Sequence, residues 1–281
     1  MCQFCHQHGE GKKWYHNAAN YAQDLLNDLE RRRYIKEFIY DVATNKAREM
    51  EETFLRAMKV PGVLREIGYR FYERKYRRDH FGQVIPKEDL HEVYRNAGSI
   101  VRLPCVCRKS STGAREARYC IGLTMDPEKL LEIKEAFLET FRFGPHVDPF
   151  ERLTAEEAMA LTENFEKEGL IHTIWTFKTP FIGAVCNCDR ADCLAMKAYQ
   201  YQFHLFFRGE YVARVDEGRC IGCRRCVQAC QFGALGHSAH RRTAFVDPLR
   251  CYGCGICRAH CEQGAISLQL RAAHPLAASL W

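Results

Sequence analysis

Eight of the 16 cysteines follow one spacing that occurs twice, and this spacing is typical of iron–sulfur ligation. Each copy has the form C-x2-C-x2-C-x3-C; the first consists of Cys220, Cys223, Cys226 and Cys230, and the second of Cys251, Cys254, Cys257 and Cys261. Three thiolates at x2 spacing can wrap one face of a four-iron cubane, while the fourth points away and reaches only a neighbouring cluster. The spacing therefore predicts two [4Fe-4S] clusters with crossed ligation.

These motifs lie within a longer internal repeat. The segment "VDEGRCIGCRRCVQACQFGA", from Val215, matches "VDPLRCYGCGICRAHCEQGA", from Val246, at an offset of 31 without a gap. Such a match at a single offset indicates duplication of one structural unit. Residues 210–271 resemble the bacterial-type ferredoxin domain, and the resemblance implies that electrons are transferred there through two [4Fe-4S] clusters.

The resemblance also implies which cysteines hold each cluster. One cluster is expected on Cys220, Cys223, Cys226 and Cys261, and the other on Cys251, Cys254, Cys257 and Cys230. Gly222 and Gly253 suit the ligand loops, because a residue without Cβ lets backbone N–H groups approach the cluster sulfurs. Zinc sites or inert thiols are the alternative interpretation of these eight cysteines.

The sequence departs from the ferredoxin pattern after the fourth cysteine of each motif. Pro usually stands there, whereas this chain has Gln231 and Glu262. Ligation should survive the change because Pro is not a ligand. If the Glu262 carboxylate lies near a cluster, its negative charge is expected to lower the reduction potential of that cluster.

Six further cysteines form two similar arms in the middle of the chain. They are Cys105, Cys107 and Cys120 in the arm that begins "PCVCR", and Cys186, Cys188 and Cys193 in the arm "VCNCDRADC". In extended backbone the two cysteines of C-x-C point to the same side, so each arm can present two thiolates to one ion or cluster. Two such arms at strand ends can enclose a four-thiolate metal site with two cysteines left over.

A further iron–sulfur cluster is the favoured occupant of this central site, because it would extend electron transfer in a chain that already carries clusters. Structural zinc and buried reduced thiols are the alternatives. The order "LPCVCR", "GLIH", "CNC" also resembles a group of larger ferredoxin-like proteins of anaerobic microbes, which implies architecture and redox class. Six ligands leave room for an open, catalytic position. His172 is a candidate ligand or proton donor, although a lone histidine in an apolar strand is more often a core residue.

The first residues of the chain contain Cys2 and Cys5 in the segment "CQFCH". This has the form of a covalent c-type haem site, but such attachment normally follows export, and no signal peptide precedes Cys2. With nearby histidines the two thiols could bind zinc or contribute to the central site. An unligated terminus is the other interpretation.

The elements that position these residues divide the chain into four parts. A mainly helical region is predicted over 1–98, a cysteine-rich α+β domain over 99–209, the ferredoxin domain over 210–271 and a tail over 272–281. Apolar periodicity predicts helix over 17–58, a break at Val60-Pro61-Gly62, a helix carrying "RFYERKYRRDH" and another that starts at Pro86. Asp126-Pro127 and Thr154-Ala-Glu-Glu157 mark helix starts, and Leu170–Phe177 is a predicted strand that precedes the second arm. The fold class is therefore α+β.

Composition limits the function and its setting. The chain has 281 residues, 47% of them hydrophobic, and a net charge of +6 that two oxidised clusters would reduce to roughly +2. This balance predicts no nucleic-acid partner. No apolar run of 18 residues appears, so no membrane span is predicted and a cytoplasmic, low-potential or anaerobic setting is expected. The basic-aromatic run 70–79 is either a solvated helix face, a nucleic-acid surface or a docking patch for an acidic redox partner.

These observations favour an electron-transfer protein that exchanges single electrons with a protein redox partner. One alternative is a reductase whose substrate meets an open-coordinated central cluster, and the other is a zinc-stabilised assembly module with an appended ferredoxin domain. Neither a G-x-G-x-x-G fingerprint nor a Walker loop occurs, so no nucleotide or flavin cofactor is predicted.

Overall fold

The fold is described from a computed structural model, which covers residues 13–44, 46–125, 131–143 and 148–280. Two predicted features lie outside these residues, namely the metal-binding use of Cys2 and Cys5 and the helix start at Asp126-Pro127. Within them the predicted α+β class is confirmed: a helical N-terminal region precedes a mixed sheet and a C-terminal unit with two separate two-stranded sheets.

Helices form most of the chain before residue 97. The 3-10 turns are Trp14–His16 and Ala18–Tyr21, and the α-helices are α1 (Gln23–Leu26), α2 (Leu29–Ala43), α3 (Lys46–Ala57), α4 (Gly62–Asp79) and α5 (Lys87–Asn96). The prediction of one helix over 17–58 is wrong. The Asp28 side chain accepts the backbone N–H groups of Glu30 and Arg31, which starts α2 as a separate helix. The predicted break between α3 and α4 and the helix after Pro86 are confirmed.

A seven-stranded sheet occupies the middle of the molecule. Its strands are β1 (Gly82–Val84), β2 (Ile100–Leu103), β3 (Cys120–Leu123), β4 (Glu151–Leu153), β5 (Ile171–Thr176), β6 (Ile182–Cys188) and β7 (Phe206–Phe207), in the order β4-β2-β3-β6-β5-β1-β7. The hairpins β2/β3 and β5/β6 meet where β3 pairs antiparallel with β6. This pairing brings the two cysteine-bearing arms to the centre of the same sheet. Strand β5 confirms the strand predicted over Leu170–Phe177.

Four helices flank the sheet and fix the ends of its strands. They are α6 (Val106–Thr112), α7 (Leu131–Phe141), α8 (Ala155–Lys167) and α9 (Leu194–Gln200). Helix α8 begins with the predicted capping box, in which Thr154 and Glu157 satisfy each other's backbone N–H groups. It ends before Gly169, whose φ of +80° suits the left-handed position after a helix. Helices α6 and α9 each follow a central-arm cysteine directly.

The C-terminal unit contains two antiparallel strand pairs. Strand β8 (Tyr211–Val215) pairs antiparallel with β11 (Ile266–Leu270), and β9 (Leu235–Ser238) pairs with β10 (Thr243–Val246). Short helices α10 (Arg225–Ala229) and α11 (Ile256–Ala259) follow the cysteine loops. Val212, Ala213, Ile266 and Ala244 form part of a core that also contains Cys226, Cys251 and Cys257.

The largest hydrophobic core joins the three regions of the chain. It combines Ile35 and Phe54 of the N-terminal helices with Cys188 and Cys193 of the central arms and Tyr252 of the C-terminal unit. The second arm and the second ferredoxin loop therefore share one water-excluded interior. Among the described residues, no helix combines the length and the apolar character that a membrane span requires.

A buried arginine folds the chain end back onto the C-terminal unit. The guanidinium of Arg271 is fully buried, pairs with Glu210 at 3.1 Å and donates to the carbonyl of Gly209 at 3.1 Å. Ala277 is buried and Leu280 packs on the core of this unit, whereas Leu276 is 63% exposed. Part of the predicted tail is thus packed, and Trp281 lies outside the described residues.

We expect Arg271→Ala to lower the free energy of unfolding by about 3 kcal/mol, because breaking a buried ion pair leaves the Glu210 carboxylate without its counter-charge. Urea unfolding followed by circular dichroism, without oxygen, measures the loss. Arg241→Ala is the control, since Arg241 pairs with Glu217 at 2.9 Å on the surface and such pairs contribute about 1 kcal/mol or less. Equal losses in the two variants would contradict the assignment of Arg271.

Candidate functional site

The eight ferredoxin-type cysteines form two groups, each drawn from both repeats. One group consists of Cys220, Cys223, Cys226 and Cys261, and the other of Cys251, Cys254, Cys257 and Cys230. The pKa of Cys226 is raised to about 11 by burial and then by the negative charges of the other three members of its group. Burial and the three other members of its own group likewise raise the pKa of Cys257. The fourth cysteine of each motif thus lies with the first three of the other motif, in the crossed arrangement that the spacing predicts.

Backbone N–H groups point at the sulfurs of both groups. Ala213 donates to Cys251 at 3.4 Å, Ala244 to Cys220 at 3.4 Å, Ala234 to Cys230 at 3.2 Å and Ala265 to Cys261 at 3.3 Å. The donors form two pairs at the repeat offset of 31 residues, Ala213 with Ala244 and Ala234 with Ala265. Each cysteine group receives two of the four hydrogen bonds. Hydrogen bonds to ligand sulfurs stabilise the thiolate form and tune the reduction potential of a bound cluster.

Two glycines allow the ligand loops to lie close to neighbouring backbone. Gly222 and Gly253 have φ of +70° and +72°. A Cβ at Gly222 would lie 2.3 Å from the carbonyl oxygen of Arg242, and a Cβ at Gly253 would lie 2.3 Å from that of Tyr211. No side chain fits in either gap, so the loops require glycine for both space and conformation. The approach of backbone N–H groups to cluster sulfurs, the role predicted for these two positions, stays a prediction.

The six cysteines of the central arms are brought together in one cluster of thiols. Their contacts run Cys105–Cys120, Cys120–Cys186, Cys186–Cys188, Cys188–Cys193 and Cys193–Cys107. The Sγ atoms of Cys188 and Cys193 lie 3.0 Å apart. We call this set the six-thiol cluster. Each of its members contacts at least one other. The expected division into four ligands and two leftover cysteines is therefore not visible in these contacts.

The six-thiol cluster consists of two triads that each combine both arms. Hydrogen bonds from Cys105 and Cys186 lower the pKa of Cys120. In the same way, hydrogen bonds from Cys107 and Cys188 lower the pKa of Cys193. Cys120 and Cys193 each lie between two other thiols, whose S–H groups favour the thiolate form of the central sulfur. The triads are joined through the contact between Cys186 and Cys188.

The sheet and two helix starts deliver these thiols. Cys120 begins β3 and lies opposite Cys186 in β6, while Cys193 caps α9. Cys186 and Cys188 are two residues apart in β6, so their side chains point to the same side of the sheet, as predicted. The first arm differs from the prediction: β2 ends at Leu103, Cys105 is the last extended residue and Cys107 is helical. The ladder stops there because Pro104 has no N–H to continue it.

A buried arginine faces the six-thiol cluster. Arg108 is 5% exposed, and its guanidinium lies 4.0 Å from the Cys105 sulfur and 3.9 Å from the centre of the Tyr119 ring. It also pairs with Asp189 and lies 3.5 Å from Asp192. Burial opposes its charge, but the pKa of Arg108 is raised because these anionic neighbours outweigh burial. Sequence reasoning missed this residue, although it is the arginine of "PCVCR".

His172 lies on the other face of the sheet from the thiols. Thr173, its neighbour in β5, places its hydroxyl 3.8 Å from the Cys188 sulfur, so alternation along the strand directs His172 away. Its Nδ1 lies 2.6 Å from the side-chain oxygen of Asn187. Complete burial lowers the pKa of His172 to about 4. The interpretation as a core residue is therefore confirmed, and the candidate role as a ligand is wrong because of strand alternation.

Zinc would require the thiols to move. Among the described residues, no group of three or more His, Cys, Asp or Glu side chains is arranged to hold a metal ion as it stands. Two sulfurs on one tetrahedral zinc are about 3.8 Å apart at a Zn–S distance of about 2.3 Å. The 3.0 Å contact of Cys188 and Cys193 is shorter than that. A bound metal centre must therefore spread the six thiols.

Gln231 connects the ferredoxin-type cysteines to the central arms. Its side chain accepts the backbone N–H of Arg190 at 3.2 Å and donates to the carbonyl of Gly169 at 3.0 Å. In return, the Arg190 guanidinium donates to the carbonyls of Cys230, at 3.2 Å, and of Gln231. Arg190 belongs to "VCNCDRADC". Gln231 therefore makes contacts between the two regions that Pro, with no polar side chain, could not make.

Glu262, the second departure from the ferredoxin pattern, lies at the surface. Its carboxylate pairs with the guanidinium of Arg225, and both side chains are more than half exposed. This partner compensates part of its charge. The lowering of a cluster potential by Glu262 stays a prediction.

Comparison with known proteins identifies one domain. Residues 219–266 match the family model described as a 4Fe-4S dicluster domain, and a domain of this kind implies iron–sulfur electron transfer. All eight ferredoxin-type cysteines, from Cys220 to Cys261, lie within the matched residues. No curated protein and no solved structure matches the chain.

We expect Gly253→Ala to lower cluster content and to destabilise the protein by about 2 kcal/mol, because a Cβ there meets the Tyr211 carbonyl in an unfavourable conformation. Visible absorbance per chain after reconstitution without oxygen measures the clusters, and urea unfolding measures the stability. Gly68→Ala is the control: Gly68 lies within α4 and a Cβ there meets nothing within 4 Å. That change should stabilise by up to about 1 kcal/mol. Full cluster content in Gly253→Ala would refute the steric argument.

Proposed function

We propose that this protein transfers single electrons through two [4Fe-4S] clusters in its C-terminal domain and through a third iron–sulfur centre on the six-thiol cluster. The observation that carries the proposal is the crossed grouping of the eight cysteines inside the matched 4Fe-4S dicluster domain. The third centre is supported by the contacts among all six central thiols and by the core that they share with the C-terminal unit.

The residues around the two ferredoxin-type groups suit four-iron clusters. Each group offers four thiolates, two backbone N–H donors to sulfur and a glycine that leaves room at the loop. When bound, a [4Fe-4S] cluster supplies reversible one-electron oxidation and reduction. The chain holds the ligand sulfurs, supplies hydrogen bonds to them and limits water access to the buried Cys251 and Cys257. The proposed ligands are those that the ferredoxin resemblance implies.

The central arms suit a polynuclear centre better than reduced thiols with no ligand. Six adjacent thiols repel one another once more than one ionises, and a cationic metal centre removes that repulsion. The buried Arg108 guanidinium, 4.0 Å from the Cys105 sulfur, adds a fixed positive charge beside them. We therefore propose Cys105, Cys107, Cys120, Cys186, Cys188 and Cys193 as the ligand set of the third centre.

A shared core and hydrogen bonds from Arg190 support electron exchange between the second ferredoxin group and the six-thiol cluster. Cys230 and Cys254 pack against the same core as Cys188 and Cys193. The backbone of Cys230 is hydrogen-bonded to Arg190, which lies between those two central cysteines in sequence. These bonds hold the loop of Cys230 beside the second arm, which shortens the path that an electron would take.

A reductase is the second candidate, and one cavity favours it. A cavity of about 280 Å³ lies between α3 and α9 and is lined by residues that include Glu51, Phe54, Arg190, Leu194 and Lys197. Leu194 directly follows Cys193, so a small polar substrate bound there would approach the second triad. In this alternative the ferredoxin domain supplies electrons to the central centre. The protein redox partner, the cytoplasmic and anaerobic setting and the absence of a nucleic-acid partner stay predictions.

Metal content tests the proposal. Protein purified without oxygen should contain about 12 or more irons, a similar amount of acid-labile sulfide and no zinc. About 8 irons with about one zinc would confine redox chemistry to the ferredoxin domain and support the zinc-stabilised module. Iron, sulfide and zinc per chain are measured on one preparation.

Two cysteine variants assign the iron to its sites. Cys188→Ala should remove only the iron of the central centre, whereas Cys223→Ala should remove iron from the ferredoxin domain and abolish electron transfer to a partner. Each variant is the control for the other, since both remove a single thiol. Unchanged metal content in Cys188→Ala would refute the third centre while leaving the two ferredoxin clusters in place.

A further inference from the structure

The two ferredoxin-type cysteine groups differ in their access to solvent. The loop of the second group is enclosed: Tyr252 is 4% exposed and stacks on Phe232 at 4.1 Å. The carbonyls of Cys251 and Tyr252 accept hydrogen bonds from Arg208 and Gly209. In the loop of the first group, by contrast, Cys223 is exposed and Ile221 is 66% exposed. The first group therefore lies nearer solvent, whereas the loop of the second group is packed into the main core.

Arginines surround the exposed loop. We define the basic rim as the exposed residues Arg219, Arg224, Arg225, Arg241 and Arg242. Two contacts fix parts of the rim: the backbone carbonyl of Arg242 lies close to Gly222, and Arg219 donates to the carbonyl of Gln263 at 3.0 Å. The members of the rim belong to the cysteine loop that contains Cys223 and to the turn after β9.

The basic rim carries an excess of positive charge. The Arg225 side chain is paired with Glu262, and Arg241 is paired with Glu217. Within the part of the chain that the structure describes, Arg224 and Arg242 form no ion pair. The positive charges of Arg224 and Arg242 can therefore attract an acidic molecule, and such attraction raises the rate at which two molecules associate.

Backbone conformation gives a second, independent observation. Arg224 has a φ of +64° and Arg242 a φ of +56°, in the left-handed region that favours glycine. The counterpart of Arg224 in the second repeat is Gly255, with a φ of +82°. The exposed repeat thus keeps an arginine at a strained position where the enclosed repeat has glycine. Strained residues of this kind cluster at functional surfaces.

We infer that the basic rim is the docking surface for an electron-transfer protein whose own docking face is acidic. The inference rests on the proposed two-cluster function and assigns its partner side. Carboxylates of the partner pair with Arg224 and Arg242, and Ile221 provides an apolar contact beside the exposed Cys223. In the cluster-loaded protein, single electrons would pass between the partner and the cluster held by the first group. From there they would pass by way of the second group's cluster to the proposed third centre, or in the reverse direction.

A second basic surface provides the matched control. Helix α4 presents Arg74 and Lys75 on its exposed side, together with Phe71, which is 68% exposed. This is the run that the sequence offered as a docking patch. It lies on the N-terminal helices and carries no cysteine, so a partner docked there has no exposed thiol ligand beneath it.

The test uses oxidised flavodoxin, a small acidic electron-transfer protein, with the cluster-loaded chain kept free of oxygen. Titration calorimetry should show that Arg224→Glu combined with Arg242→Glu weakens binding about tenfold and reduces its salt dependence. Arg74→Glu combined with Lys75→Glu makes the same change in net charge and should leave binding unchanged. Arg224→Gln with Arg242→Gln, a milder change, should give a smaller loss in the same direction.

Electron transfer provides the second readout. After the clusters are reduced with dithionite and excess dithionite is removed, the cluster held by the first group would give one electron to flavodoxin quinone, which takes up one proton and becomes the neutral semiquinone. Stopped-flow rates with flavodoxin should fall about tenfold in the rim variant, and the rate with the small cation hexaammineruthenium(III), which the rim repels, should not fall.

The outcomes separate this inference from the proposed function. Preparations without iron and sulfide would refute the two-cluster function before any binding is measured. With clusters intact, unchanged flavodoxin binding in the rim variant, or an equal loss in the α4 variant, would overturn the rim. Tighter binding of a short DNA duplex than of flavodoxin would also overturn it, in favour of a nucleic-acid surface.

Discussion

Mutual repulsion between thiolates is the constraint on which the rest of this structure depends. The described residues contain 14 free cysteines, and each belongs to one of three compact groups. Bringing such groups together in a low-dielectric interior raises the pKa of most of their members, as for Cys226 and Cys257. The fold answers this with backbone N–H donors at the ferredoxin-type sulfurs and with Arg108 at the six-thiol cluster. Metal ions would complete the compensation.

The same constraint explains why the regions of the chain are packed together. An enclosed group must exclude water, and the second cysteine loop is enclosed by packing against the main core. Tyr252 and Phe232 therefore insert into the main core, while Gln231 and Arg190 satisfy the polar backbone groups at the border. The two repeats of the C-terminal unit therefore differ in their surroundings: the cysteine loop of the second is enclosed and that of the first is exposed.

Local sequence features were predicted well because they depend on short-range chemistry. The C-x2-C-x2-C-x3-C spacing, the capping box at Thr154 and the apolar strand after Leu170 each involve residues that are adjacent along the chain. The prediction of one long helix over 17–58 was wrong although its signal was also local. Apolar periodicity continues through Asp28, but the Asp28 side chain caps a new helix and so divides the segment. The extended form predicted for Cys107 failed because Pro104 ends the β2 ladder.

By itself the sequence determined the cysteine groups of each repeat, the α+β class and the presence of two central arms, since spacing and periodicity record local geometry. Only the tertiary structure decided how the arms meet, because the pairing of Cys120 with Cys186 joins residues far apart along the chain. It also directed His172 away from the thiols and turned one ferredoxin loop inward. These choices depend on strand register and on packing between distant segments, which no single stretch of sequence encodes.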